Sequence, residues 1–208
     1  MINTRITCLT LLFIFFTTSS LATRAQTSSM DEAIFAGGCF WCVESDFDHV
    51  KGVSSTTSGY IGGHSKNPTY KQVTGGDTGH IEAVKIEFDP KQVTFEQLIN
   101  VFWRSVDPLD AGGQFCDRGE SYTTAVFAID DAQFEVAERT KKEVANQLGS
   151  EVATRILEAT EFYPAEDYHQ DYHNKNPLRY KYYRFRCRRD ARIEKLWGVE
   201  AHQGIQRK

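Results

Sequence analysis

The sequence predicts one α/β (α+β) domain of two layers, a mixed central sheet with flanking helices and an irregular C-terminal tail. Three observations support this reading. Strand-like and helix-like periodicities alternate along the chain, and no internal repeat or low-complexity tract interrupts them. Behind an N-terminal leader about 180 residues remain, enough for one well-cored domain and few for two.

The leader is "MINTRITCLTLLFIFFTTSSLATRAQ". Arg5 supplies a positive start, Cys8 to Phe16 form an apolar run, and Ala22 and Ala25 offer small residues for cleavage. We expect a signal peptide over residues 1–25 and an exported mature protein, periplasmic or secreted. A membrane anchor is the weaker reading because the apolar run is too short to span a bilayer. Cys8 leaves with the signal.

Each later element has a local reason. "EAIFAGG" reads as a short buried strand that ends in a glycine turn. Phe40, Val43, Phe47 and Val50 recur at helical spacing, so Cys39 falls at a helix N-terminus. "GVSSTTSGY" alternates as a strand, "IGGHSKNPTY" is rich in turn formers, and "IEAVKIEFDP" is a strand closed by Pro90. Thr94 with Gln97 three residues on gives a capping box for a helix through "TFEQLINVFWRSV". "DAGGQFCDRGES" reads as a long loop and "YTTAVFAI" as a strand. "DDAQFEVAERTKKEVANQLG" is an amphipathic helix stopped by Gly149, and "VATRILEAT" a further strand. From Tyr168 to Trp197 the Tyr-rich tail is less regular, with "RDARIEKLWG" a short terminal helix.

Composition narrows the function. A net charge of -4 provides no basic field for nucleic acid. Behind the leader stand four cysteines, Cys39, Cys42, Cys116 and Cys187. In an exported protein they invite disulfides, yet a domain of this size needs no staples, and thiol chemistry is an equal reading. Zinc would want a second Cys-x-x-Cys or a Cys/His pair, which is absent from the sequence. At a helix start behind Gly37 and Gly38, Cys39 is expected to be an acidified, uncovered nucleophile, with Cys42 one turn further in and less accessible. The plain alternative is a buried small hydrophobe. His169 and His173, four apart beside Asp167 and Asp171, have a spacing that could hold a metal on one helical face.

"GCFWCVE", "NPTYKQV", "GDTGHIEAVKIEFDP", "DRGESYTTAVF" and "FYPAEDYHQDYHNKNP", in this order, resemble the type A peptide methionine sulfoxide reductases over residues 35–177. The resemblance implies reduction of the S epimer of free and protein-bound methionine sulfoxide by a monomer without a cofactor or a metal, in a catalytic domain spanning 31–208. It puts the nucleophile at Cys39, which would become a sulfenic acid as methionine leaves. Phe40 and Trp41 would hold the substrate methyl group, Glu82 would protonate the sulfoxide oxygen, Tyr70 and Tyr122 would donate hydrogen bonds to it, and Asp117 would orient groups. Taken alone, Glu82 could be a solvent-facing strand residue, and Tyr70 and Tyr122 ordinary half-buried tyrosines. The His169/His173 segment resembles a part of the family that holds no metal, which favours structural hydrogen bonding.

The family's usual motif has glycine where this chain has Cys42. The family places its recycling cysteine in the tail, which favours Cys187 as the resolving thiol, flanked by Arg186, Arg188 and Arg189; Cys42 is the alternative, and Cys116 is read as structural. A thioredoxin-like reductant would close the cycle, with no nucleic acid and no stable membrane association. Two other classes stay open: a thiol–disulfide oxidoreductase built on Cys39 and Cys42 alone, and a zinc-bound or disulfide-stapled interaction module. Loss of Glu82 separates the last from a reductase, because a module would tolerate it.

Overall fold

Apolar alternation in the strand segments resolves into two faces of one sheet in the computed structural model, which describes residues 30–206. The expected signal peptide and its cleavage zone lie outside these residues. The chain runs β1 (Asp31–Gly37), α1 (Phe40–Phe47), β2 (Val53–Ile61), α2 (Tyr70–Gly75), β3 (Ile81–Phe88) and α3 (Phe95–Trp103). It continues through the two-residue strands β4 (Gly113–Gln114) and β5 (Asp117–Arg118), a 3-10 turn over Glu120–Tyr122, β6 (Thr124–Ala128), α4 (Asp131–Leu148), β7 (Arg155–Glu158) and β8 (Tyr163–Pro164). Three helices follow: α5 (Tyr172–Lys175), α6 (Pro177–Arg186) and α7 (Arg189–Trp197).

The main sheet has the order β7-β6-β1-β3-β2-β8. Only the β6–β7 pair is parallel among its ladders, so the sheet is mixed as expected. Ala33 and Phe35 of β1, Tyr60 of β2 and Val84, Ile86 and Phe88 of β3 face the main core with α1, α3 and α4. Ile34, Ala36, Ile61, Ile81 and Ala83 face the other way, under Leu157, Ala159 and Phe162. A period of two assigns Glu82 to the same face as Val84 and Ile86, against α1. Glu82 is 1 % exposed, so its reading as a solvent-facing strand residue is wrong.

Three segments differ from expectation. The turn-rich stretch before β3 contains α2, whose Thr69 and Gln72 form a capping box of the same kind as Thr94 and Gln97. The loop after α3 is pinned by the β4–β5 hairpin. The tail is more helical than expected: the short terminal helix read in "RDARIEKLWG" is α7, and α5 and α6 precede it. Its stripe is disguised because arginines occupy core positions: Tyr180 and Arg184 are the buried residues of α6, and Arg189, Ile193 and Trp197 those of α7. Asp171 and Arg188, both at φ 53, break the tail into short pieces. Among the described residues no helix is long and apolar enough to cross a membrane.

Candidate active site

The site forms where β1 turns into α1. Gly38 has φ +78, and a Cβ there would lie 2.5 Å from Cβ of Gln114. Glycine is therefore required twice, for the left-handed turn and for the contact. The turn makes Cys39 the N-cap of α1 without a side-chain capping bond. Phe40 donates its backbone N–H to Oε2 of Glu82 at 2.9 Å, which ties the helix start to the sheet.

The structure gathers the expected residues around Cys39. Phe40 is buried and its ring lies 6.4 Å from that of Tyr70. Trp41 is half-buried and stacks on Tyr172 with centroids 3.7 Å apart. Tyr70 and Tyr122 hydrogen-bond to each other through their hydroxyls, both half-buried. Asp117, on β5, accepts a hydrogen bond from the Tyr183 hydroxyl. Its charge reaches Cys39 and Glu82.

Sequence reasoning passed over three residues. Tyr172 and Tyr183 build the Trp41 wall from the tail, Tyr183 meeting the indole edge-on. Glu166 takes the Tyr60 hydroxyl at 2.8 Å and the Tyr70 backbone N–H at 2.9 Å, which holds α2 against the sheet. Glu166 and Tyr172 lie in "FYPAEDYHQDYH", a segment dense enough in polar and aromatic groups to have signalled them, while Tyr183 lies further on in α6. The two histidines are structural. His169 accepts the Trp41 indole N–H on Nδ1 at 3.1 Å, and Nε2 of His173 stands 3.4 Å from Asp48. Burial lowers the pKa of both rings, so they are held neutral.

Electrostatics correct one expectation. The Cys39 thiol is pushed well above its ordinary pKa, by burial first, then by its bond to Cys42 and the carboxylates of Glu82 and Asp117. The helix start does not offset this, because the Phe40 N–H is spent on Glu82 rather than on sulfur. In the same pair Cys42 is lowered to about 7, by the hydrogen bond from Cys39 and by the Arg189 and Arg184 guanidiniums. Glu82 is raised well above the carboxylate range by burial, which favours its protonated form.

The remaining cysteines are also placed differently than expected. Cys187 is bonded to Cys116, and Cys42 is the sulfur that shares a hydrogen bond with Cys39. Cys116, read as structural, is exposed at the turn of the β4–β5 hairpin. Arg189 does not flank Cys187 in solvent. It is 2 % exposed and donates to the carbonyls of Gly37 at 3.0 Å and Ser105 at 2.8 Å.

A buried thiol pair facing a neutral carboxylic acid within aromatic walls defines a thiol-dependent oxidoreductase on a mixed-sheet α/β frame. The chain belongs to the peptide methionine sulfoxide reductase family, whose family model matches residues 31–201. It is 49 % identical over 197 residues to the peptide methionine sulfoxide reductase MsrA 2 of Rhizobium meliloti, covering 95 % of this chain and 98 % of that one. It is 50 % identical over 168 residues to the MsrA of Bacillus licheniformis, covering 80 % and 93 %. Among solved structures, Mxr1 of Saccharomyces cerevisiae in reduced form matches with TM-score 0.69 at 31 % identity, covering 73 % of this chain and 88 % of that one. Methionine sulfoxide reductase A of Corynebacterium diphtheriae matches with TM-score 0.66 at 34 % identity, covering 74 % and 78 %.

Proposed function

We propose that the protein reduces the S epimer of free and protein-bound methionine sulfoxide, repairing oxidised proteins. The observation that carries this reading is Glu82: a carboxyl 1 % exposed, bonded to the Phe40 backbone beside the Cys39 thiol, with burial favouring its protonated form. A sulfoxide oxygen leaves sulfur only when it is protonated, and a carboxylic acid that keeps its proton near pH 7 supplies one. Phe40 and Trp41 offer rings for the methyl group, and the paired Tyr70 and Tyr122 hydroxyls offer donors for the oxygen.

The reaction begins with loss of the Cys39 proton as substrate enters. The thiolate attacks the sulfoxide sulfur, Glu82 protonates the departing oxygen, and methionine leaves with Cys39 as a sulfenic acid. A second thiol then expels water to form a disulfide, which an external dithiol protein of the thioredoxin type reduces. The relative Mxr1 has been solved in complex with Trx2, which supports a partner of this class. The catalytic unit acts as a monomer, and we place it outside the cytoplasm after removal of residues 1–25.

The test is turnover of each epimer with dithiothreitol as reductant. Reduction of the S epimer alone is expected; no turnover of it, or equal turnover of both, refutes the assignment. Light scattering checks the monomer, and N-terminal sequencing of the exported protein checks the leader. An intact N-terminus on soluble protein would refute export.

A further inference from the structure

Helix α6 packs against the molecule through Tyr180 and Arg184 and turns its opposite face to solvent. That face is not simply polar. Leu178, Tyr182 and Phe185 are 83 %, 67 % and 79 % exposed, and their i, i+4, i+7 spacing aligns them in one stripe. Apolar residues scattered singly over a surface need no explanation, but an aligned row does. Cations border the stripe on both sides. Lys181 neighbours Leu178 and Phe185 across one helical turn, and Arg179 and Arg186 neighbour Tyr182 in the same way. All three are exposed, as is Arg188 just beyond the helix. From Tyr172 to Arg189 the chain has no aspartate or glutamate, although its net charge is -4.

On one side the stripe leads into the candidate active site. Tyr183, whose ring meets Trp41 edge-on and whose hydroxyl bonds to Asp117, is flanked on the helix surface by Arg179 and Arg186. On the other side it continues toward α7 as a groove of about 680 Å³, whose lining includes Lys181, Phe185 and Arg188. The carboxylate in that lining, Asp190, is already held by Arg184 at 2.8 Å. We propose that the outer face of α6 is the docking surface for the polypeptide around an oxidised methionine, and that it selects segments with acidic and apolar residues beside the sulfoxide. This rests on the sulfoxide reductase reading of the site.

A sulfoxide held at Trp41 leaves its own chain beside Tyr183, and the residues next to it then lie along α6. From Leu178 to Phe185 the helix rises about 10 Å, the length of about three extended residues, so the preference concerns the immediate neighbours of the sulfoxide. A glutamate or aspartate there meets Arg179, Lys181 or Arg186. An apolar side chain there covers Leu178, Tyr182 and Phe185. Aromatic and arginine side chains with a charged rim are the make-up of a protein interface. Free methionine sulfoxide has no flanking residues and uses none of this surface.

The experiment compares free S-methionine sulfoxide with two blocked peptides of equal length, each with a central S-methionine sulfoxide flanked by leucine and either glutamate or lysine. Dithiothreitol is the reductant throughout, so no protein donor enters the rates. In wild type, kcat/KM should be about tenfold higher for the glutamate peptide, the sum of two or three rim ion pairs, and the gap should close as salt is raised from about 0.05 to about 0.5 M. Arg179→Glu/Lys181→Glu should remove the preference and leave kcat/KM for free sulfoxide unchanged. Leu178→Ser/Tyr182→Ser should raise KM for both peptides and again spare free sulfoxide. Equal kcat/KM for the two peptides in wild type, or a preference that survives the charge reversal, overturns the proposal, while turnover of free sulfoxide leaves the reductase reading standing. If no substrate is turned over, the reductase reading fails. The surface is then tested by fluorescence anisotropy of the labelled glutamate peptide with methionine in place of the sulfoxide. Salt-sensitive binding that the charge reversal loses supports docking, and no binding overturns it. Vesicles containing phosphatidylglycerol check for a lipid surface: no cosedimentation is expected, and cosedimentation that the charge reversal removes assigns the face to lipid and overturns the proposal.

Discussion

At Cys39 and Glu82 burial favours the neutral form of two acids, of which one must lose a proton and the other give one. Cys39→Ser should abolish activity, because a hydroxyl cannot replace the thiolate. Glu82→Gln should slow the single-turnover step by about 10²–10⁴-fold, the usual contribution of one positioned proton donor. Because the Glu82 pKa is raised, the wild-type rate should fall on the alkaline side as its proton is lost, and Glu82→Gln should flatten that limb. Full single-turnover activity in Glu82→Gln would remove it from the mechanism. Glu44, on the inner face of α1 at 1 % exposure, titrates with stability instead. Burial raises it from 4.5 to about 7, so the folded state binds its proton more tightly than the unfolded state does. Its stabilising contribution is complete below pH 4.5 and is lost as pH rises through 7. Urea unfolding at pH 5 and pH 8 should show a drop that Glu44→Gln lessens by on the order of 2 kcal/mol, the rest belonging to groups such as Glu82; an unchanged drop in the variant would assign it wholly to other groups.

Among the elements, the β1–α1 turn carries the most consequence, since it aims Cys39. A methyl group at Gly38 meets Gln114, a fully buried side chain bonded to the backbone of Asp107 at 2.8 and 2.9 Å. Gly38→Ala should therefore cost about 1–3 kcal/mol and also lower single-turnover activity, because clash and a strained φ act together at the nucleophile. Gly149→Ala is the control. Gly149 caps α4 at φ +61 with nothing within 4 Å of an added Cβ, so it should cost about 1 kcal/mol and leave activity intact. Equal activity loss in both variants would mean that stability, not aim, is being measured.

On the scale of the whole molecule, the tail locks the site from outside the sheet. Arg189 ties α7 to the end of β1 through Gly37 and to the end of α3 through Ser105, while Tyr172 and Tyr183 close the Trp41 wall. The Cys116–Cys187 bridge closes this arrangement over a sequence separation of 71. Chain-entropy reasoning gives a bridge of that loop length about 4 kcal/mol of stability. Thermal unfolding of Cys187→Ser, with and without reductant, should show a lowered Tm that no longer responds to reductant. A Tm equal to that of oxidised wild type would mean that the bridge does not constrain the unfolded chain.

The sequence by itself determined the elements whose causes are local. The strands ending at Gly37 and Phe88 follow from alternation, α3 and α4 from their caps at Thr94, Asp130 and Gly149, and the position of Cys39 from the glycine turn before α1. The family motifs supplied the roles of Glu82, Tyr70 and Tyr122. Three things were decided only in three dimensions. Glu82 turned inward because the sheet has two covered faces, and alternation alone cannot say which face meets water. Helix α6 was hidden because Arg184 fills a core position, and a buried arginine is recognisable only once Asp46 is beside it. The thiol pairing was hidden for the same reason. Spacing brings Cys42 near Cys39, but only the packing of α6 against the β4–β5 hairpin brings Cys187 to Cys116, and only burial in the folded site reverses the acidity expected of Cys39.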